Sequence, residues 1–352
     1  MHPGDQDTSG RRLFVLGFPS IYGGAGTELH HQIIVWRQMD VEVHLIPSWP
    51  AMTEALYPEM IERGVHVHNP GEFELLEPSD PILGFCNAEF LEALPEIRKH
   101  TRRTVFLNCM TWLFDKERDS MAQGLIAMFL YQNEAVRKDH APKLREFNDD
   151  PSVDFLTYKP YFEESAFPFI SERSQETFGC GRISRQDADK FARNTLHIYE
   201  YFVSRKWKQG LFLGFDHRSE KKIGTPFDWI TCAKDQNEVT PQDFYRHCEI
   251  ILQPSDTTEN WPRIGFEAMA SGSVLIVDNR GGWRQMIEHG KTGWLCDHER
   301  DFIYYASMMA YEPHLREDMA AAAKERGQML GGLQESIASW EEVFERIDQL
   351  PE

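Results

Sequence analysis

Short apolar runs alternate with longer amphipathic stretches along this chain. Leu13-Phe14-Val15-Leu16 has the continuous apolar character of a buried strand, and Leu29, Ile33, Ile34 and Trp36 then mark one face of a helix. Val43-His44-Leu45-Ile46, Ile82-Leu83-Gly84-Phe85, Val105-Phe106-Leu107 and Ile126-Ala127-Met128-Phe129 continue the series. Strands separated by helical stretches predict a parallel sheet covered by helices on both faces.

The alternation lapses near residues 150–173, where Asp149-Asp150-Pro151 and Pro160-Tyr161-Phe162-Glu163-Glu164 read as turns and connector. It then restarts, with strands expected at Thr177 to Gly181, Leu211 to Leu213, Trp229 to Thr231, Ile250 to Leu252, Val274 to Val277 and Trp294-Leu295. From about Pro313 the chain reads as helical, with Trp340, Val343, Phe344 and Ile347 on one face. The simplest architecture is two similar α/β domains facing a cleft, spanning 1–165 and 174–332, with a C-terminal helix at 333–352. Open α/β sheets bind ligands beyond the carboxyl ends of their strands, so the loops after strands are where chemistry is sought.

Composition narrows the classes. A length of 352 residues suffices for two domains, and 41% hydrophobic residues supply their cores. A net charge of −19 argues against a nucleic-acid binder. The basic clusters Arg98, Lys99, Arg102, Arg103 and Lys221, Lys222 read as solvated faces. The six cysteines are scattered without a Cys-x-x-Cys pair and read as reduced core residues. No segment has the ~20 apolar residues of a membrane span, and Met1 to Arg12 lacks the apolar stretch of a secretory signal. A cytoplasmic protein without a transmembrane segment is expected.

The chemistry concentrates in the loops of the second half. Glu259 stands in a strand-to-helix loop, and Glu267 lies eight positions on, inside the following helix. Pro262 suits that helix's first turn, and a helix N-terminus attracts phosphate. Carboxylates beside an anion site have a natural task in accepting hydrogen bonds from hydroxyls of the same ligand. A phosphate with many hydroxyls describes a sugar nucleotide. Arg182 ends the first strand of this half and Arg185 and Lys190 follow it, three cations of the kind that clamp phosphate oxygens. The plain alternative is a basic helix start paired with Asp187 and Asp189. Gly281-Gly282-Trp283 opens another helix after a strand and offers backbone N–H groups. The early loop Tyr22-Gly23-Gly24-Ala25-Gly26 fails the dinucleotide fingerprint, because Leu29 stands at the third glycine position. It reads as a tight turn open to a ligand's approach, or as a turn with no ligand. Among fourteen histidines, His66 and His68 share one face of a short strand, yet surface or satisfied core roles fit them better than metal binding.

Together these features resemble a retaining glycosyltransferase of the two-Rossmann-domain (GT-B) type, glycosyltransferase family 4. The resemblance rests on Gly181-Arg182 with a downstream lysine, on Glu259-x7-Glu267-Ala268-Met269-Ala270-Ser271-Gly272, and on Gly281-Gly282 with Glu288-His289-Gly290-Lys291-Thr292-Gly293-Trp294-Leu295. It is strong from about Phe178 to Cys296 and thinner before.

The resemblance implies two Rossmann-like doubly wound domains, with the C-terminal helix packing back on the first. It implies transfer of a sugar from a nucleotide-diphosphate sugar to a hydroxyl acceptor (a glycan, a lipid-linked molecule or a small molecule), with no cofactor; no Asp/Asp metal pair is evident, so the reading requires no metal ion. Glu259 would contact donor-sugar hydroxyls, and Glu267 the ribose. Arg182 and a lysine would hold the diphosphate. Backbone amides around Arg263 and Ile264 would meet the distal phosphate, and Gly23 and Gly24 would let the first domain close over it. Two departures stand out. Asp187 occupies the usual lysine position, with Lys190 the first substitute and Arg185 the second. Asn108-Cys109-Met110-Thr111 occupies the stretch where many members carry a histidine. Competing readings are a non-catalytic nucleotide-sugar-binding or scaffold partner, and an epimerase or phosphorylase on the same architecture.

Overall fold

The computed structural model describes residues 10–21 and 23–352. Tyr22 of the glycine loop and residues 1–9 of the N-terminal stretch lie outside the described residues. The chain forms two compact units, residues 1–162 with 331–352, and residues 163–330.

The first unit runs β1 (Arg12–Leu16), α1 (Gly24–Gln38), β2 (Glu42–Ile46), α2 (Tyr57–Glu62), β3 (His66–Val67), β4 (Ile82–Phe85), α3 (Ala88–Ile97), β5 (Thr104–Asn108), α4 (Asp115–Ala122), β6 (Met128–Tyr131), α5 (Glu134–Arg145) and β7 (Asp154–Thr157). Its seven strands are ordered β3-β2-β1-β4-β5-β6-β7, every pair parallel. The central strands are buried on both faces, as a helix-covered parallel sheet requires. One face packs Leu13, Val15, Ile33, Val43 and Val105, and the other Phe14, Leu16, Phe90, Phe106 and Phe129.

The second unit runs β8 (Thr177–Ile183), α6 (Thr195–Tyr201), β9 (Trp207–Leu213), α7 (His217–Ile223), β10 (Ile230–Ala233), α8 (Pro241–His247), β11 (Ile250–Gln253), α9 (Arg263–Ser271), β12 (Val274–Asp278), α10 (Trp283–Met286), β13 (Trp294–Cys296), α11 (Glu299–Tyr311) and α12 (Pro313–Gly331). Its sheet has the order β10-β9-β8-β11-β12-β13, again parallel. The last helix, α13 (Leu333–Asp348), belongs to the first unit. Trp340, Val343, Phe344 and Ile347 are all buried there. The Trp340 indole donates to Gln32 Oε1 at 2.5 Å, and its ring meets Trp36 edge-on at 5.0 Å.

Several expectations need correction. Asp154–Thr157, inside the expected connector, is an edge strand; its residues are only partly buried, which leaves a weak apolar signal. The strand expected at Ile126 to Phe129 is shifted to Met128–Tyr131. Segment 166–173, outside both expected domains, packs within the second unit, where the Arg173 guanidinium donates to the carbonyls of Tyr245 and Arg246 at 2.9 Å. The expected break before the C-terminal helix, by contrast, stands at Gly332, with α12 in the second unit and α13 in the first. All six cysteines are free thiols, but only Cys180, Cys248 and Cys296 are buried. Cys232 is exposed because β10 is an edge strand. Among the described residues no helix is long and apolar enough to cross a membrane.

Candidate functional site

The second sheet reverses its direction of growth between β8 and β11. The chains leaving these two strands at their carboxyl ends turn to opposite faces, and the gap between them is where open α/β sheets place ligands. Gln253 at the end of β11 spans this gap. Its side chain accepts from the Ile183 N–H at 3.3 Å and donates to the Ile183 carbonyl at 2.7 Å, acting as one more rung of the ladder.

Arg182 lies near the end of β8, as expected, and is fully buried. Its Nη2 donates to the Lys190 carbonyl at 2.5 Å, and the guanidinium sits 3.6 Å above the Phe191 ring. Its Nε and Nη1 have no hydrogen-bond partner. Burial lowers its pKa to about 10, while Tyr199, Glu259 and Asp278 act to raise it. The group is therefore still a cation at neutral pH, with two donors waiting for an acceptor. Buried polar groups are nearly always paired, so this deficit sets Arg182 apart. Ser184 Oγ, Trp261 Nε1 and Arg280 Nε, on the segments following β8, β11 and β12, are also buried without partners.

The expected cations part company after Arg182. Asp187 caps a 3-10 turn at Ala188–Lys190, accepting from the Asp189 N–H at 3.0 Å. Arg185 faces outward, two-thirds exposed, and pairs with Asp187 at 3.1 Å. Thus Asp187 shapes the loop and holds Arg185 away from Arg182. The turn carries Lys190 back, and its Nζ reaches Glu259 Oε1 at 2.6 Å, with both side chains about four-fifths buried. Lys222 steadies the same turn, donating to the Ala188 carbonyl at 2.9 Å and pairing with Asp256 at 2.8 Å. The structure therefore joins Arg182, Lys190 and Glu259, and leaves Arg185 apart.

The Glu259 loop rests directly on the diglycine turn. A Cβ on Gly282 would lie 1.8 Å from the Asn260 carbonyl oxygen, and one on Gly281, at φ 56°, would lie 2.3 Å from that of Glu259. The Gly282 N–H donates to the Glu259 carbonyl at 2.8 Å. That N–H, expected to meet a sugar or phosphate, instead fixes the backbone of the loop carrying the carboxylate.

Pro262 is the N-cap of α9 and not within its first turn; the helix starts at Arg263 and ends at left-handed Gly272. The N–H groups of the first turn, including those of Arg263 and Ile264, point out of the helix end by geometry. The Arg263 side chain is buried, and its charge favours ionised Glu267. Tyr245 OH donates to Glu267 Oε2 at 3.0 Å and also lies 3.2 Å from the Ile264 carbonyl. Burial raises the Glu267 carboxyl above its ordinary value, against the Tyr245 bond and Arg263. Gly23, at φ 77°, precedes α1 and Gly24 begins it; nothing lies within 4 Å of a Cβ built on either. Both belong to the first unit.

Sequence reasoning missed three contributors. Phe191 is the platform under Arg182, Tyr245 holds Glu267, and Asp278 ends β12 with its carboxyl pushed up to about 6, chiefly by burial. Asp278 accepts from the Ser255 N–H at 2.9 Å. Its place after the run Val274 to Val277 was the one available signal, since a charge ending a buried strand falls on the ligand-binding rim.

Comparison with known proteins bears on the same region. Residues 230–326 match the family model of glycosyl transferases group 1. A D-inositol 3-phosphate glycosyltransferase of Pseudarthrobacter chlorophenolicus is 28% identical over 108 residues, 30% of this chain and 26% of that protein. The lipopolysaccharide 1,2-N-acetylglucosaminetransferase of Salmonella typhimurium is 27% identical over 152 residues, 42% of this chain and 37% of its own length. The chain thus matches between about a quarter and two-fifths of these relatives' length. Likeness to solved structures extends over nearly the whole chain. HepE of Anabaena, in complex with UDP and glucose, superposes with a TM-score of 0.70 at 12% identity, covering 97% of this chain and all of that one. Sucrose-phosphate synthase of Thermosynechococcus elongatus gives 0.70 at 11% identity, over 96% and 99%. The fold is that of the two-domain glycosyltransferases.

Proposed function

From a glycosyl transferases group 1 domain over residues 230–326, we propose that this chain transfers a sugar from a nucleoside-diphosphate sugar to a hydroxyl acceptor, with retention of anomeric configuration and without a metal ion. The observation that carries the reading is Arg182, a fully buried cation with two unpartnered donors at the sheet's switch point. A diphosphate supplies the acceptor oxygens that Nε and Nη1 lack.

The chemistry follows from charge. Breaking the sugar–phosphate bond builds positive charge on the anomeric carbon and negative charge on the leaving diphosphate. Arg182 stabilises that negative charge where it develops, and the first turn of α9 adds its N–H groups. Glu259 accepts from donor-sugar hydroxyls, and Lys190, 2.6 Å away, offsets its charge so that it does not repel the phosphate. Glu267, held by Tyr245, accepts from the ribose hydroxyls. The leaving phosphate takes the acceptor's proton on the same face, which gives retention. The presence of UDP and glucose in the HepE structure makes UDP-sugars the first donors to test.

The test is a panel of UDP-, GDP- and ADP-sugars, read as nucleoside-diphosphate release and as thermal shift. Turnover with at least one donor is expected, falling ~10²–10³-fold in Glu259→Gln. Donor binding without turnover, even with crude acceptor extracts, would leave a non-catalytic binder. Absence of binding by every donor refutes the proposal.

A further inference from the structure

A second cluster of side chains lies in the first unit and owes nothing to the transferase reading. Strand β2 carries Glu42 and His44 two residues apart, so both point to one face. The register pairs His44 with His66 on β3, and His68, two residues beyond His66, continues the ladder through its N–H to the Leu45 carbonyl at 2.9 Å. Glu42, His44, His66 and His68 are thereby gathered on the edge of the sheet. The Phe14 ring stacks on His44 at 4.5 Å.

We propose that Glu42, His44 and His66 bind a divalent transition-metal ion of the zinc class, with His68 as a positioning residue. His44 Nε2 lies 3.0 Å from Glu42 Oε1, His66 Nε2 lies 3.4 Å from the same oxygen, and the three ligand atoms are mutually within 4.8 Å. Two ligands of a tetrahedral zinc ion, each ~2.1 Å from it, sit about 3.4 Å apart, so the spacing is already close to a ligand set. Two imidazoles and a carboxylate suit zinc, cobalt or nickel better than calcium or magnesium.

With the ion on Nε2, the His44 proton resides on Nδ1 and is donated to His68 Nε2, 3.0 Å away. Such an outer partner fixes the ring of a metal-binding histidine. The rings of His44 and His66 are stacked, with centroids 4.7 Å and planes 16° apart, so the capture step is a rotation of His66. Its side chain is half exposed. The neighbouring cation, Arg12, is committed to Asp80 at 2.9 Å and Glu77 at 3.4 Å. The ion would staple β3, a two-residue edge strand, to β2.

The experiment uses the full chain stripped with chelator, titrated with zinc and separately with cobalt. Stoichiometry is read by calorimetry, coordination by cobalt absorption, and stability by thermal melting. One equivalent of metal, a tetrahedral cobalt spectrum and a raised Tm are expected. His66→Ala abolishes all three, and Glu42→Gln does so independently should the first variant fold poorly. His68→Ala weakens binding ~10–100-fold while keeping the stoichiometry, as loss of an outer partner does. His314→Ala, on an almost fully exposed side chain in the second unit, changes nothing. Absence of stoichiometric uptake by the wild-type chain, or uptake that survives both His66→Ala and Glu42→Gln, overturns the proposal.

Discussion

Replacing Arg182 by Met separates what the guanidinium does for the fold from what it does for a ligand. Taking such a cation out of water costs several kcal/mol even after relaxation. Against this the structure offers one charge-assisted hydrogen bond, to the Lys190 carbonyl, worth about 1.5–3 kcal/mol. The Phe191 ring beneath it adds about 2 kcal/mol, and the charges of Glu259 and Asp278 favour the cation further. Nε and Nη1 return nothing. These contributions nearly cancel, so Arg182→Met, which keeps the stem and drops the charge, should unfold in urea within about 1 kcal/mol of wild type, where losing a well-paired buried charge costs about 3–5. Function should behave oppositely. Nucleoside diphosphate at 100 times its Kd stabilises the wild-type chain by about 2.7 kcal/mol, and the variant should lose most of this shift. Its turnover should fall ~10²–10³-fold, equivalent to about 2.7–4 kcal/mol of barrier. The assay is urea unfolding with and without UDP, followed by steady-state diphosphate release. A variant that is strongly destabilised without ligand, yet keeps the UDP-induced shift, would falsify the assignment of Arg182 to a phosphate.

Two further outcomes follow from local geometry. Gly282→Ala places a Cβ 1.8 Å from a backbone oxygen of the loop that carries Glu259, whereas at Gly265 the nearest contact is the flexible Met286 Cε at 2.7 Å. Chemical denaturation and turnover should show Gly282→Ala losing about 1–3 kcal/mol or more together with activity, and Gly265→Ala losing less; a reversed order refutes the packing argument. Glu117 is buried on α4, accepting from Asn108 Nδ2 at 2.9 Å and the Phe114 N–H at 3.1 Å, and burial raises its pKa to about 7. The folded value exceeds the unfolded one, so its stabilising contribution is complete below about pH 4.5 and is lost as pH rises towards 7, on the order of 3 kcal/mol in all. Urea melts at pH 5 and pH 8 should show Glu117→Gln flattening this decline. An equal decline in both proteins would exclude Glu117 as its source.

The apolar periodicity was enough to predict two parallel α/β domains, because a strand covered on both faces must be apolar throughout. Spacing was likewise enough to place Glu259 in a loop and Glu267 inside the following helix. The helical face Trp340, Val343, Phe344 and Ile347 was equally plain, since its 3.6-residue period is local. Asp154–Thr157 stayed hidden because a half-exposed edge strand carries little apolar signal. Tertiary structure alone decided which cation meets Glu259. Arg182, Arg185 and Lys190 are equivalent as charges along the chain, but a 3-10 turn capped by Asp187 sends Arg185 to solvent and Lys190 inward. It also decided that His44 faces His66, since strand register is set by pairing across the sheet and not by either strand alone. The sequence specified the elements and the residue types at their ends; distances between groups far apart in the chain arose only once the sheet had closed.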